Sequence, residues 1–97
     1  MAIPIISFRK RSFLNPTSTD TTSYIHARVE SSCDGEYRWG TNMLTIADCR
    51  RRVHLEFFLG NKRDRRLSLR KINLLIKVLT AFRDALTKEI ALIEKVK

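Results

Sequence analysis

The chain has 97 residues, of which 43% are hydrophobic and 30% are charged, and its formal net charge at pH 7 is +9. This composition argues against a disordered tail and predicts a folded domain with a modest core. No apolar run approaches the ~18 residues that a membrane span needs, so we expect no membrane partner.

The first 22 residues are predicted to form a basic, flexible arm ahead of the folded domain. The basic triplet at residues 9–11 follows a short apolar stretch, which is the wrong order for a secretion signal. Residues 15–19 have the composition of a loop. Two alternatives stay open for the arm, an N-terminal strand built on residues 4–8 and an organellar presequence.

Three stretches that alternate between apolar and polar side chains predict consecutive half-buried strands at residues 24–30, 37–47 and 52–59. Short polar turns separate them, and Gly40 predicts a bulge or bend inside the second strand. Three such strands in a row form an antiparallel meander with one apolar and one polar face. One interpretation of residues 65–69 is a short fourth strand.

The other interpretation of that segment begins a helix at Ser68, whose hydroxyl would cap the first turn. A basic loop at residues 62–66 precedes it. From Ile72 to Val96 apolar side chains recur every three or four residues, which predicts one long amphipathic helix. The apolar stripe is wide up to Leu86, as in a helix packed on a sheet, and narrower beyond it, as in a contact between two helices.

The predicted fold class is therefore α+β, an antiparallel meander of three or four strands followed by one long C-terminal α-helix. Residues 23–97 are predicted to form this single β-β-β-(β)-α domain. The helix is longer than such a sheet is wide, so a symmetric second copy is expected to cover its end. The alternative is a lone helix whose end frays. The expected homodimer interface consists of Leu86, Ile90, Ile93 and Val96.

No pattern in the sequence indicates a metal, a cofactor or catalysis. Cys33 and Cys49 are too few for a disulfide framework and predict reduced thiols in an intracellular protein of the cytoplasm, the nucleoid or nucleus, or an organelle. His26 and His54 could join them around a metal, but the close Cys-x-x-Cys pair of structural zinc sites is missing. Glycine-rich phosphate loops, HExxH and nucleophile elbows are missing too. We expect no metal ion, no cofactor and no enzymatic activity.

The excess positive charge is concentrated in one part of the sequence. Residues 50–71 contain nine basic side chains against Glu56 and Asp64, which leaves a charge of +7. Residues 1–49 are neutral in sum, and residues 72–97 carry +2. A run of one sign that is rich in arginine indicates a surface for a polyanionic partner, although a solvated face gives a similar pattern.

Nucleic acid is the partner that these residues fit best. Arginines on a sheet bind phosphates, and exposed aromatic rings stack with bases for ~1–3 kcal/mol each, so single-stranded DNA or RNA is preferred over duplex. The second hypothesis is a protein–protein adaptor or inhibitor, viral or accessory, that docks an acidic partner through its basic loop or long helix. The candidate nucleic-acid-binding residues are Arg28, Arg38, Trp39, Arg50, Arg51, Arg52, Lys62, Arg63, Arg65 and Arg66.

A pattern of apolar positions with one Leu-Ser-Leu element runs through the second half of the chain. It comprises residues 44–59, Arg66-Leu67-Ser68-Leu69, Ile72, Leu75 and Leu79. Over about residues 37–86 it resembles the positive-cofactor-four transcriptional coactivators and their Whirly relatives. The resemblance implies a curved antiparallel sheet that runs directly into a C-terminal helix, and a dimer that binds single-stranded DNA on its sheet. By position, it places the family's basic and aromatic strand residues on Arg38, Trp39, Arg50, Arg52 and Lys62.

Overall fold

The computed structural model describes residues 7–14, 23–34 and 37–96, without the side chains of residues 32–34 and 37–39. Its elements are β1 Ser7–Phe13, β2 Tyr24–Asp34, β3 Tyr37–Asp48, β4 Arg51–Glu56 and α1 Lys62–Lys95. The four strands form one antiparallel sheet in the order β1-β2-β3-β4. The predicted α+β fold class is therefore confirmed.

The chain divides after Gly60 into two compact units. The first unit, Met1–Gly60, contains the sheet, and the second, Asn61–Lys97, contains the helix. The predicted division into an arm of 22 residues and one domain stays a prediction. Among the described residues, no helix is both long and apolar enough to cross a membrane.

Strand β1 lies inside the segment that the sequence predicts to be a flexible arm. It pairs antiparallel with β2, from Ser7 opposite Glu30 to Phe13 opposite Tyr24. All seven of its side chains are exposed. Backbone hydrogen bonds to β2 rather than a buried apolar stripe therefore hold this strand, which explains why periodicity did not reveal it. The arm residues that flank β1, apart from Leu14, lie outside the described residues.

The two central strands pair residue for residue from Tyr24 opposite Ala47 to Asp34 opposite Tyr37, and β2 continues four residues beyond its predicted end at residue 30. Gly40 lies opposite Ser31 in this ladder, so the bulge predicted at the glycine does not form. A Cβ atom at Gly40 would clash with the backbone carbonyl oxygen of Glu30. The glycine is there because the neighbouring backbone approaches closely, which is the other reason for a glycine inside a strand.

A two-residue turn, Cys49 and Arg50, joins β3 to β4. The pair Asp48 and Arg51 closes it. Cys49 has a φ of 56°, in the left-handed region that hairpin turns usually fill with glycine, asparagine or aspartate. Strand β4 ends at Glu56, three residues before its predicted end.

Helix α1 begins at Lys62, so both predictions for residues 65–69 are wrong. Asn61 is the N-cap, and its side-chain oxygen accepts a hydrogen bond of 2.8 Å from the backbone N–H of Asp64. The amide nitrogen of Asn61 donates in turn to the Asp64 carboxylate at 3.1 Å. This cap satisfies a backbone N–H of the first turn, so the helix begins well before Ser68. Residues 62–66, predicted to be a basic loop, are therefore helical as well.

The burial in the sheet differs from the expected pattern. The apolar face, which carries Phe8, Ile25, Ala27, Val29, Leu44, Ile46, Val53 and Leu55, is only partly covered, since Val29 is 38% exposed and Val53 53%. Among the described residues, Ala47 is the only buried hydrophobic side chain. Thr45, which is also buried, lies on the same face of β3 as Ala47, so the best-covered positions of the sheet are on its polar face.

The apolar stripe of helix α1 is exposed. Leu79 and Phe82 are 51% and 59% exposed, and the predicted interface residues Leu86, Ile90, Ile93 and Val96 range from 46% to 82%. An amphipathic helix of 34 residues with an uncovered stripe gains little stability on its own in water. What covers this stripe stays a prediction.

Candidate nucleic-acid interface

The register of the sheet gathers basic side chains on its polar face. Residues directly opposite each other in an antiparallel pair project from the same face. Arg9 lies opposite Arg28 and Arg11 opposite His26. On the same face, at the β4 edge of the sheet, Arg52 lies opposite Ala47, which in turn lies opposite Tyr24. We call this surface the basic face, and its charged, titratable and aromatic members are Arg9, Arg11, Phe13, Tyr24, His26, Arg28, Glu30, Arg52, His54 and Glu56.

Glu30 holds two of the arginines of the basic face in fixed positions. Arg9 donates to it from Nε and Nη2, at 2.6 Å and 3.0 Å, in a two-pronged contact. Arg28 donates from Nε to the same carboxylate at 2.8 Å. The hydrogen bonds from Arg9 and Arg28 lower the pKa of Glu30 to about 2, so that it stays ionised. Arg9 and Arg28, like charges on opposite strands, are thus kept together by one shared anion.

Beside Arg9 and Arg28, the basic face carries the guanidinium of Arg11, the ring of Tyr24 and the imidazole of His26. The Cζ atom of Arg11 lies 5.5 Å from the centroid of the Tyr24 ring, within range of a cation–π contact. His26, opposite Arg11, is half-buried. Burial and the nearby charges of Arg11, Arg28 and Arg9 lower the pKa of His26 and favour the neutral imidazole.

The third and fourth strands support this face with polar contacts. His54 Nδ1 and the hydroxyl of the buried Thr45 form a hydrogen bond of 2.9 Å. On the opposite face, the hydroxyl of Ser23 donates to the carboxylate of Asp48 at 2.8 Å, which links the start of β2 to the end of β3. Thr45 and His54 lie in one row with Arg11 and His26, so this row is continuous across all four strands.

The predicted strand residues separate on this scaffold. Arg28 and Arg52 lie on the basic face, as their alternation predicted. Arg51 lies opposite Asp48 and so projects from the other face, while Arg50 is in the turn. The backbone of Arg38 and Trp39 pairs with Cys33 and Ser32, but their side chains lie outside the described residues.

The other predicted candidates, Lys62, Arg63, Arg65 and Arg66, are in the first turns of helix α1. Cations near a helix N-terminus oppose the positive end of its dipole, and Asp64 in the same turn offsets only part of that charge. These residues belong to the helical unit, and their arrangement is described for that unit alone.

Sequence reasoning missed Arg9, Arg11 and His26 as members of the site. The only signal was the spacing of Arg9 and Arg11, which are two residues apart and so share one face of a strand, but Ser7–Phe13 does not alternate between apolar and polar side chains. The missing acidic residues and the loop composition further on favoured an arm instead. His26 was considered only as a metal ligand, since its arginine neighbours come from a strand that was not predicted.

Within the described part of the chain, no three His, Cys, Asp or Glu side chains lie close enough to hold a metal ion. Comparison of the whole chain with protein-family models, curated proteins and solved structures finds no match. The resemblance to the positive-cofactor-four and Whirly group therefore stays a prediction.

Proposed function

We propose that the protein is a non-enzymatic nucleic-acid-binding protein that holds single-stranded DNA or RNA on the basic face, as a homodimer. The observation that carries the proposal is the gathering of Arg9, Arg11, Arg28 and Arg52 on one face of the sheet. Guanidinium groups bind phosphate oxygens with charge-assisted hydrogen bonds, the strongest contacts that such a surface offers a polyanion.

An extended single strand suits the geometry of this face. Arg9 and Arg11 are two residues apart on β1, about 7 Å at the rise of a β-strand, so they can contact different phosphates. Tyr24 and Phe13, opposite each other at one end of the face, offer rings for bases to stack on. A duplex would present no unstacked bases to these rings, which is why a single strand is the favoured partner.

The basic first turns of helix α1 form a second surface that attracts polyanions. Lys62, Arg63, Arg65 and Arg66 lie where the helix dipole already disfavours positive charge. A bound phosphate would offset both the mutual repulsion of these cations and their repulsion by the dipole. Arg50, Arg51, Arg38 and Trp39, which belong to the other unit, also remain candidates.

The homodimer is proposed from the exposed stripe of helix α1. Leu86, Ile90, Ile93 and Val96 recur every three or four residues and are all exposed. A seam of this spacing is buried by a second helix of the same kind, and a symmetric copy is the simplest source of one. Two copies would also double the number of basic faces that one strand can contact.

A salt series tests the proposed function. Anisotropy of a labelled single strand is compared with that of its duplex, at several salt concentrations. Four phosphate contacts on a single strand give a slope of about −3 in log affinity against log salt, or roughly 50-fold weaker binding between 50 and 200 mM. Tighter binding of the single strand is expected. Absence of binding at low salt, or tighter binding of the duplex, would contradict the proposal.

One observation favours the second candidate function, a protein–protein adaptor or inhibitor. The exposed stripe extends well beyond the predicted dimer seam, with Leu74, Ile76 and Val78 all more than half exposed. Apolar patches of this kind mark surfaces that bind other proteins. This candidate is favoured if the protein fails to bind any oligonucleotide at low salt and elutes as a monomer.

A further inference from the structure

His26 is a half-buried titratable group of the basic face with charged neighbours on more than one strand. On β1 it faces Arg11 directly and Arg9 diagonally. On its own strand, Tyr24 and Arg28 lie two residues to either side of His26 on the same face. Glu30 lies beyond Arg28. On β3 its direct neighbour is Thr45, which bonds to His54 of β4, and the other charged groups of β4 on this face are Arg52 and Glu56.

The charges around His26 are unevenly arranged. The Glu30 carboxylate, which lies beyond Arg28 on β2, is bound by Arg9 and Arg28. Among the described residues, the ring of Tyr24 is the contact that the structure shows for the guanidinium of Arg11. The part of the face between Arg11, His26 and Arg28 therefore has three nitrogen-bearing side chains and no carboxylate directly opposite His26.

We propose that Arg11, His26 and Arg28 form a phosphate-binding subsite, which takes one backbone phosphate of the bound single strand. The subsite deepens the proposed function and rests on it. Arg11 and Arg28 project from neighbouring strands on the basic face, and in the free protein Arg11 lies over the Tyr24 ring while Arg28 is bound to Glu30. A phosphate that reaches both side chains can accept hydrogen bonds from the two guanidinium groups. The imidazole, directly opposite Arg11 and on the same strand as Arg28, becomes the third donor.

Occupation of this subsite has a measurable consequence for His26. In the free protein, burial and three arginines disfavour its protonated form and lower its pKa. A phosphate placed between those arginines brings a negative charge to the imidazole and favours the imidazolium. Binding of the strand is therefore accompanied by uptake of a proton from the solvent by the second ring nitrogen, and affinity increases as the pH falls, by at most tenfold per pH unit.

Calorimetry of oligothymidylate binding near the usual pKa of histidine, about pH 6.5, tests this subsite. Thymine has no group that titrates there, so proton uptake reports on the protein. Titrations in two buffers with different ionisation enthalpies should give an uptake of a fraction of a proton per site. His26→Gln should abolish the uptake, whereas Lys88→Gln, which removes a charge of helix α1 outside the basic face, should retain it.

The outcomes distinguish the subsite from the proposed function. Tight binding with no proton uptake, or with equal uptake by the wild type and His26→Gln, overturns the subsite and leaves the function standing. No binding at low salt overturns the function itself. If His26→Gln fails to fold, the imidazole of the wild type is titrated by NMR without and with oligothymidylate. A higher pKa of His26 in the complex is expected, and an unchanged or lower one overturns the subsite.

Discussion

Glu30 is the residue on which the order of the basic face depends most. Its carboxylate accepts from Arg9 and Arg28, and its pKa is lowered from 4.5 to about 2. Between those two values the unfolded chain binds a proton that the folded chain does not, so the stabilisation is complete above pH 4.5 and disappears towards pH 2. Glu30→Gln should lower the melting temperature by at most about 5 °C at pH 7.

The same variant checks the sign of this effect. The difference in melting temperature between wild type and Glu30→Gln should be constant from pH 7 to about pH 5 and shrink as the pH falls further. Scanning calorimetry or circular dichroism across this range measures it. A difference that grows with acidification would show that the carboxylate is not stabilised by Arg9 and Arg28.

Residues of the site were predictable where alternation was visible in the sequence. Arg28 and Arg52 lie on one face because each belongs to a strand with a clear period of two. The positive φ of Cys49 was not predictable, since a cysteine at a turn gives no sign of it. Gly40 was recognised as special, but the sequence could not distinguish a bulge from a close approach of the Glu30 backbone.

At the scale of elements, the N-terminus of helix α1 depends on Asn61. This cap satisfies the N–H of Asp64 at a helix start that is otherwise crowded with cations. Asn61→Ala should destabilise helix α1 and lower its free energy of unfolding by ~1 kcal/mol. Urea denaturation followed by circular dichroism at 222 nm measures the loss.

The matched control is Asn73→Ala, an exposed position inside the same helix. Alanine is a better helix former than asparagine, so this variant should be neutral or slightly stabilising. Equal losses for the two variants would show that Asn61 does not act as a cap. The cap itself was overlooked because an asparagine followed three residues later by aspartate competes, in the sequence, with Ser68 and its more familiar hydroxyl cap.

The strands show why element type was easier to predict than element limits. The three alternating stretches became β2, β3 and β4, whereas β1 has exposed side chains on both faces and so lacks the signal of a half-buried strand. Its place in the sheet comes from pairing with β2, a long-range interaction that local patterns do not encode. By contrast, the order of β2, β3, β4 and the single helix was predictable, because three alternating stretches and one helical stretch follow one another along the chain.

At the scale of the whole molecule, the proposed homodimer depends on the seam at the end of helix α1. Ile90→Lys combined with Ile93→Lys should convert a dimer to a monomer, because two charges per copy would be buried in an apolar contact. Light scattering should give a mass near twice 11.3 kDa for the wild type and near 11.3 kDa for the variant. Thr87→Lys with Ala91→Lys adds the same charge away from the seam and should stay dimeric. A monomeric wild type would contradict the proposed homodimer.

The proposed function requires that the basic face binds the nucleic acid. The most direct test is the affinity for a labelled single strand of a variant in which Arg9, Arg11, Arg28 and Arg52 are all glutamine. It is compared with a variant that loses the same four charges from the helix, at Arg70, Lys77, Arg83 and Lys88. For the first variant we predict that the affinity falls by about 100-fold or more and that the salt slope becomes shallower by about 3. For the second variant we predict a change in affinity of about threefold or less. Equal losses in the two variants would contradict the claim.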